Sequence, residues 1–172
     1  MRFTLIDRIT ELRPGVSITA VKALSLAEEY LQDHFPRFPV MPGVLMLEAM
    51  FQTATWLVYL TEDFRHSMVI LKEARNIKYA GFVRPGETLS IRADLVTEDD
   101  NLTSFKAQGW VGQNIAVTGG LVLERFNIGD REPHLQAWDS LARTEMRRRF
   151  AQLYQPNSAR EPASGERPLR SF

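Results

Sequence analysis

The stretch Asp33-His34-Phe35-Pro36-Arg37-Phe38-Pro39-Val40-Met41-Pro42-Gly43-Val44-Leu45-Met46-Leu47-Glu48-Ala49-Met50-Phe51-Gln52 joins one histidine to one carboxylate through a stiff loop and a very apolar segment. Its prolines fix φ at their own positions and steer the residue before each away from helix, so His34 to Met41 reads as an ordered, extended loop. A helix can begin only near Gly43. Beyond it Val44, Leu45, Met46, Leu47, Ala49, Met50, Phe51, Ala54, Trp56, Leu57 and Val58 are apolar on every side, the pattern of a helix wrapped by other structure. Residues 43–60 are also long enough to suggest a membrane span. Glu48, Gln52, Thr53 and Thr55 interrupt that run, so a core helix and no membrane partner is the expectation.

Glu48 and Gln52 are four apart and share a face of this helix, which places an amide where it can orient a buried carboxylic side chain. An ionised carboxylate is costly to bury alone; it finds a partner or stays protonated, as a general acid must. His34 is the one side chain of the loop able to act as a base near neutral pH. Taken without their context, His34 is an ordinary hydrogen-bonding group, and Glu48 a structural acid paired with an arginine. Together they suggest proton removal and proton delivery at two points of one substrate.

Outward from this segment, alternation marks strands at Val16, Ile18 and Ala20, at Leu89, Ile91, Ala93 and Leu95, at Leu102 to Ala107 and at Ile115 to Leu123. Pro14-Gly15, Pro85-Gly86 and Asp99-Asp100-Asn101 supply the turns. Ser25 with Glu28 three residues on predicts a capping box and a short helix leading to His34. At 172 residues and 44% hydrophobic, the chain can build one substantial core. It has no cysteine, which excludes disulfides and thiolate ligands, and its zero net charge argues against a generally basic nucleic-acid binder. The first residues lack the apolar core of a signal peptide, so a cytoplasmic protein is the default. No glycine-rich phosphate cradle, serine elbow or spaced metal-ligand cluster stands in the sequence. His66 and His134 flank polar stretches and read as solvated.

The loop and helix resemble the active-site motif of the FabZ-type 3-hydroxyacyl-acyl-carrier-protein dehydratases. Phe3-Thr4-Leu5-Ile6-Asp7-Arg8-Ile9, Pro14-Gly15, Asn76-Ile77-Lys78-Tyr79 and Val83-Arg84-Pro85-Gly86-Glu87 extend the likeness over residues 1 to 126, its most specific part being His34-Phe35-Pro36 with Met41-Pro42-Gly43 and Glu48. The resemblance implies an α+β hot-dog fold, a long central helix wrapped by an antiparallel sheet. It implies dehydration of (3R)-3-hydroxyacyl carrier thioesters to trans-2-enoyl thioesters in fatty-acid biosynthesis. His34 then corresponds to the base at the carbon beside the thioester and Glu48 to the acid at the departing hydroxyl, drawn from different subunits. The Gly43 N–H corresponds to the donor that polarises the carbonyl, with Val44 and Gln52 beside the substrate. No metal or other cofactor is expected, the substrate riding on the phosphopantetheine of acyl carrier protein, and a homodimer or a trimer of such dimers is implied. Glu48 stands where the isomerising FabA-type enzymes carry aspartate, so dehydration without efficient isomerisation is expected. Asp33, Arg37 and Phe51 depart from the family pattern and bear on substrate choice. Two other classes stay open: a hot-dog acyl thioesterase, and a non-catalytic acyl- or carrier-binding protein.

After Phe126 the likeness ends. Pro133 opens a predicted helix within an extension spanning 127–154, with a stripe of Leu135, Trp138, Ala142, Met146, Phe150 and Leu153 and with Arg147, Arg148 and Arg149 near its end. Its stripe either covers a surface of the same subunit, or its arginines meet an acidic carrier or a neighbouring subunit. Residues 155–172 cannot build a core and read as a disordered tail.

Overall fold

Six strands form one antiparallel sheet in the spatial order β1-β2-β4-β5-β6-β3. In chain order they are β1 Arg8–Arg13, β2 Ser17–Ala23, β3 Met68–Tyr79, β4 Thr88–Glu98, β5 Leu102–Val111 and β6 Asn114–Phe126. The computed structural model describes residues 4–155, so the tail predicted for 155–172 lies, from 156 on, outside the described residues. Between β2 and β3 runs α1, Gly43–Thr61, packed on the sheet; α2, Ile128–Arg131, and α3, Gln136–Leu153, follow β6. This is the predicted α+β hot-dog arrangement with a C-terminal helix.

The alternation expected for β4, β5 and β6 is what builds the core. Register brings Ile18, Ala93 and Ala107 into one row and Ala20, Ile91, Gly109 and Val117 into the next, all buried. Small residues in these rows let the helix approach. Gly109 makes room within the sheet itself: a Cβ there would lie 2.9 Å from Val117 Cγ1 of β6 and 3.1 Å from Leu89 Cδ1 of β4. On α1, Met46, Ala49, Met50, Thr53, Ala54, Trp56, Leu57, Val58 and Tyr59 are buried.

Several expectations need correction. The helix is not covered on every side: within one chain Val44 is 67% exposed and Leu47 and Phe51 are half-buried. Val16 lies in the turn before β2 and is exposed, because the strand starts only at Ser17. The capping box does not form. Glu28 instead pairs with the buried Lys22 at 2.6 Å, and the segment after Ser25 makes only a 3-10 turn at Glu29–Leu31. His66 is not solvated, since its Nδ1 lies 2.5 Å from Glu62 Oε2 with only 13% of the side chain exposed. Glu62 also pairs with the buried Arg125 of β6, whose guanidinium reaches Glu98 at 3.3 Å and donates to the Asp99 carbonyl at 2.7 Å. That network pins the carboxy-terminal end of α1 to the sheet.

The extension docks by the second half of its stripe. Met146, Phe150 and Leu153 pack against the core, Phe150 lying among the rings of Trp56, Phe64 and Tyr154. Trp138 is exposed. Pro133 opens a 3-10 turn and not α3 itself. Arg147 sits over the Phe64 ring, 4.9 Å from its centre, and donates to the Asp63 carbonyl. Buried Asp139 anchors the start of α3 by accepting hydrogen bonds from Ser67 Oγ and from the backbone N–H of Ile128 at 2.9 Å and Gly129 at 3.1 Å.

Burial pushes the Asp139 carboxyl pKa up, but the Ser67, Gly129 and Ile128 hydrogen bonds, aided by the Arg143 charge, outweigh it and hold the group below its ordinary value. A depressed carboxyl stabilises the fold above its unfolded value of about 3.9 and loses that contribution as pH falls through the folded value. Asp139→Ala should therefore cost about 1–3 kcal/mol at neutral pH, because the Gly129 N–H loses its acceptor and the Ile128 N–H keeps only Ser67 Oγ at 3.1 Å. Urea unfolding should show the gap between wild type and variant shrinking below pH 4; a gap independent of pH would contradict the assignment.

Candidate active site

The loop from Gln32 to Pro42 is held by its ends and by its own backbone. Leu31, Val40 and Met41 are buried anchors, the Met41 N–H donates to the Val83 carbonyl at 2.9 Å, and the Val40 N–H donates to the His34 carbonyl at 3.1 Å. Phe35 and Phe38 exchange backbone hydrogen bonds of 3.2 and 2.9 Å across the loop tip. The Phe38 ring meets Phe82 edge-on at 5.5 Å, with the Arg84 guanidinium 5.4 Å from its centre. The His34–Phe35 peptide bond is cis.

This frame fixes the His34 ring. Its Nδ1 lies 3.0 Å from the Val40 carbonyl oxygen. A carbonyl only accepts, so neutral His34 carries its proton on Nδ1 and presents Nε2 with a free lone pair. The ring is half-buried and stacks on Phe35 at 4.2 Å. Nothing in the linear sequence announces the Val40 carbonyl, because a backbone acceptor exists at every residue and only the loop's path selects this one.

Glu48 lies on the second turn of α1 and is half-buried in the single chain. The expected partnership holds: Gln52 Nε2 donates to Glu48 Oε1 at 3.0 Å. Gln52 Oε1 in turn accepts the Leu5 N–H at 2.9 Å, which settles which way the amide points and ties the amino-terminal segment to the site. No arginine pairs with Glu48 among the described residues. Nor does any hydrogen bond or ion pair join His34 to Glu48 within the chain.

At the start of α1, the N-cap is Pro42, which offers no side-chain cap, and no acidic residue stands in the first turn. The N–H groups of Gly43 and Val44 therefore have neither an intrahelical acceptor nor a side-chain cap, and they stand at the positive end of the helix dipole. Gly43 lies close under the Tyr79 ring: a Cβ there would stand 3.1 to 3.3 Å from three of its carbons, so any other residue requires the ring to shift. Val44, Tyr79 and Phe82 are exposed around this point. Asp33 and Arg37 are exposed on the loop, and no hydrogen bond joins Asp33 to His34 among the described residues. Among those residues no group of three or more His, Cys, Asp or Glu side chains gathers as a metal site.

Comparison with known proteins bears on the family and the fold. A model of the FabA-like domain matches residues 1–119. The FabZ 3-hydroxyacyl-[acyl-carrier-protein] dehydratase of Levilactobacillus brevis is 38% identical over 115 residues, 67% of this chain and 78% of that protein. Its namesake from a Janthinobacterium species is 34% identical over 132 residues, 75% of this chain and 85% of that protein. Among solved structures, the dehydratase heterocomplex ApeI:P from Xenorhabdus doucetiae superposes with a TM-score of 0.63 at 18% identity, covering 73% of this chain and 84% of that one, which shows the shared fold. The chain belongs to the FabA-like family, among its FabZ-type dehydratases.

Proposed function

We propose that the protein dehydrates (3R)-3-hydroxyacyl thioesters carried on acyl carrier protein to trans-2-enoyl thioesters in fatty-acid biosynthesis, in the cytoplasm, with His34 and Glu48 as its acid-base pair. The observation that carries the reading is the pair of fixed orientations: the Val40 carbonyl leaves Nε2 of His34 free to take a proton, and Gln52 aims the Glu48 carboxyl. Nε2 removes the proton on the carbon beside the thioester. Negative charge gathers on the carbonyl oxygen, where the uncapped N–H of Gly43, with Val44 beside it, stabilises it through preorganised dipoles. Collapse of this enolate expels the 3-hydroxyl, which takes a proton from Glu48 and leaves as water. Only protons and one hydroxyl move, so the scheme calls for no metal or redox cofactor. A thioesterase would use such a base to draw a proton from a water attacking the carbonyl carbon; the relatives named dehydratases favour loss of water over hydrolysis.

A homodimer is part of the same reading. The single chain leaves β3 as an edge strand and exposes Val44 and Tyr79 beside the amino terminus of α1. A second copy seated there covers that apolar surface and brings its own His34 loop toward Glu48. Lys72, Glu73, Arg75 and Lys78 along β3 give the open edge the charge that discourages indiscriminate strand pairing.

His34→Ala and Glu48→Gln should each lower kcat by about 10²- to 10⁴-fold with the fold intact by circular dichroism, the usual contribution of a general acid or base. Near wild-type rates in both would refute the assignment. Mixing the two inactive variants tests the shared site: mixed dimers hold one intact site, so full subunit exchange should restore about a quarter of the wild-type rate. No recovery from verified mixed dimers would place both groups in one subunit.

A further inference from the structure

Between α1 and α3 runs a groove of about 480 Å³, within the size range of small-molecule sites. Its floor is mostly apolar, formed by Ile6, Phe51, Trp56, Tyr59 and Val69 with the Thr55 hydroxyl among them, and α3 lines it with Met146 and Leu153. We propose that this groove receives the far end of the substrate's alkyl chain, and that α3 thereby sets the longest chain the enzyme accepts. The inference rests on the thioester reading of the site and adds its chain-length determinant.

Continuity with the site is the first argument. Gln52 lines the groove and also donates to Glu48, so the groove opens within one helical turn of the candidate acid. From Gln52 to Tyr59 it follows about 10 Å of helix axis, room for several methylenes in extended form. Charge is the second. The open rim carries Glu145, Arg148 and Arg149, but Glu145 pairs with Arg148 at 2.7 Å and with Arg149 at 3.0 Å. Both arginines are held on the one Glu145 carboxylate, so the single positive charge in excess stays at the rim; the floor between carries no charged side chain, and its apolar surface favours a plain alkyl end. The third is that α3 lies beyond residue 119, where the family match ends. The wall is therefore an addition to the shared domain, and a feature by which this chain differs from the domain alone. Phe51, whose departure from the family pattern bears on substrate choice, forms part of the floor.

The chain contains no cysteine, so Met146→Cys places a single thiol in the wall. Maleimide labelling of this thiol is followed on the full chain, with no ligand or with a butyryl or a dodecanoyl carrier thioester. Only the empty groove reacts, so dodecanoyl thioester at about ten times its Kd should slow labelling about tenfold, while butyryl thioester leaves the rate unchanged. Equal rates under all three conditions overturn the proposal. So does a labelling rate that falls with protein concentration, which gives the groove to a second copy, or one that rises on truncation after Gln155, which gives it to the chain's own end. Leu153→Cys repeats the measurement should the first variant fail to fold. In turnover, Met146→Trp should lower the ratio of kcat/KM for the twelve-carbon over the four-carbon 3-hydroxyacyl substrate by about tenfold or more, the scale of a few methylenes denied their pocket. An unchanged ratio overturns the proposal as well. Labelling needs no turnover, so protection of the thiol in a protein that dehydrates neither substrate would refute the dehydratase reading and leave the groove assignment standing.

Discussion

Burial of one side of α1 against the sheet is the interaction on which the site depends. Each large apolar side chain taken from water there contributes about 1.5–3 kcal/mol, and Met46, Met50, Leu57 and Val58 all point into the core. The sheet makes room with Ala20, Ala93 and Ala107. At the other end, the Glu62–Arg125 pair and its neighbours fix where the helix stops. A helix held this firmly carries Gly43, Glu48 and Gln52 as one rigid body, which is the condition for catalytic groups to keep their geometry through a reaction.

The cost of that design is visible on the helix's other side. Val44, Leu47 and Phe51 are apolar yet incompletely covered in the single chain. Two coverings account for them in the proposals above: a second copy at the amino-terminal end of α1, and the acyl chain with α3 farther along. Glu48 sits between these two regions, half-buried and partnered by a neutral amide. The amide fixes the direction in which the carboxyl points, which suits the proton donor proposed for Glu48.

Much of this was legible in the sequence, and the failures share a cause. The proline-rich loop follows from local sterics, and α1 and strands β4 to β6 from periodicity, because each of these elements buries a continuous face. Strands β1 and β3 escaped the periodicity reading because both lie at sheet edges: Arg8-Ile9-Thr10-Glu11-Leu12-Arg13 and the Lys72-to-Lys78 run are dominated by charge, and β3 carries two register shifts that break alternation. Glu28 was available to cap a helix but is taken by Lys22, a tertiary partner the local pattern does not reveal. Trp138 fits the helical stripe yet stays exposed because α3 meets the core only from Met146 onward. Within the site, the side-chain types were evident, as was the pairing of Glu48 with Gln52. The Val40 carbonyl and the Leu5 N–H, which orient His34 and Gln52, were not, since backbone groups leave no mark in the residue pattern.

The central claim is that two oriented side chains remove water from a carrier-bound 3-hydroxyacyl group. Its most direct test is mass spectrometry of 3-hydroxyacyl carrier protein incubated with the purified protein in the absence of added metal or nucleotide. The account predicts a carrier-bound product lighter by one water, whose formation reverses when the enoyl thioester is supplied instead. Release of the free acid with bare carrier, or carrier bound tightly with its acyl group unchanged, would contradict it.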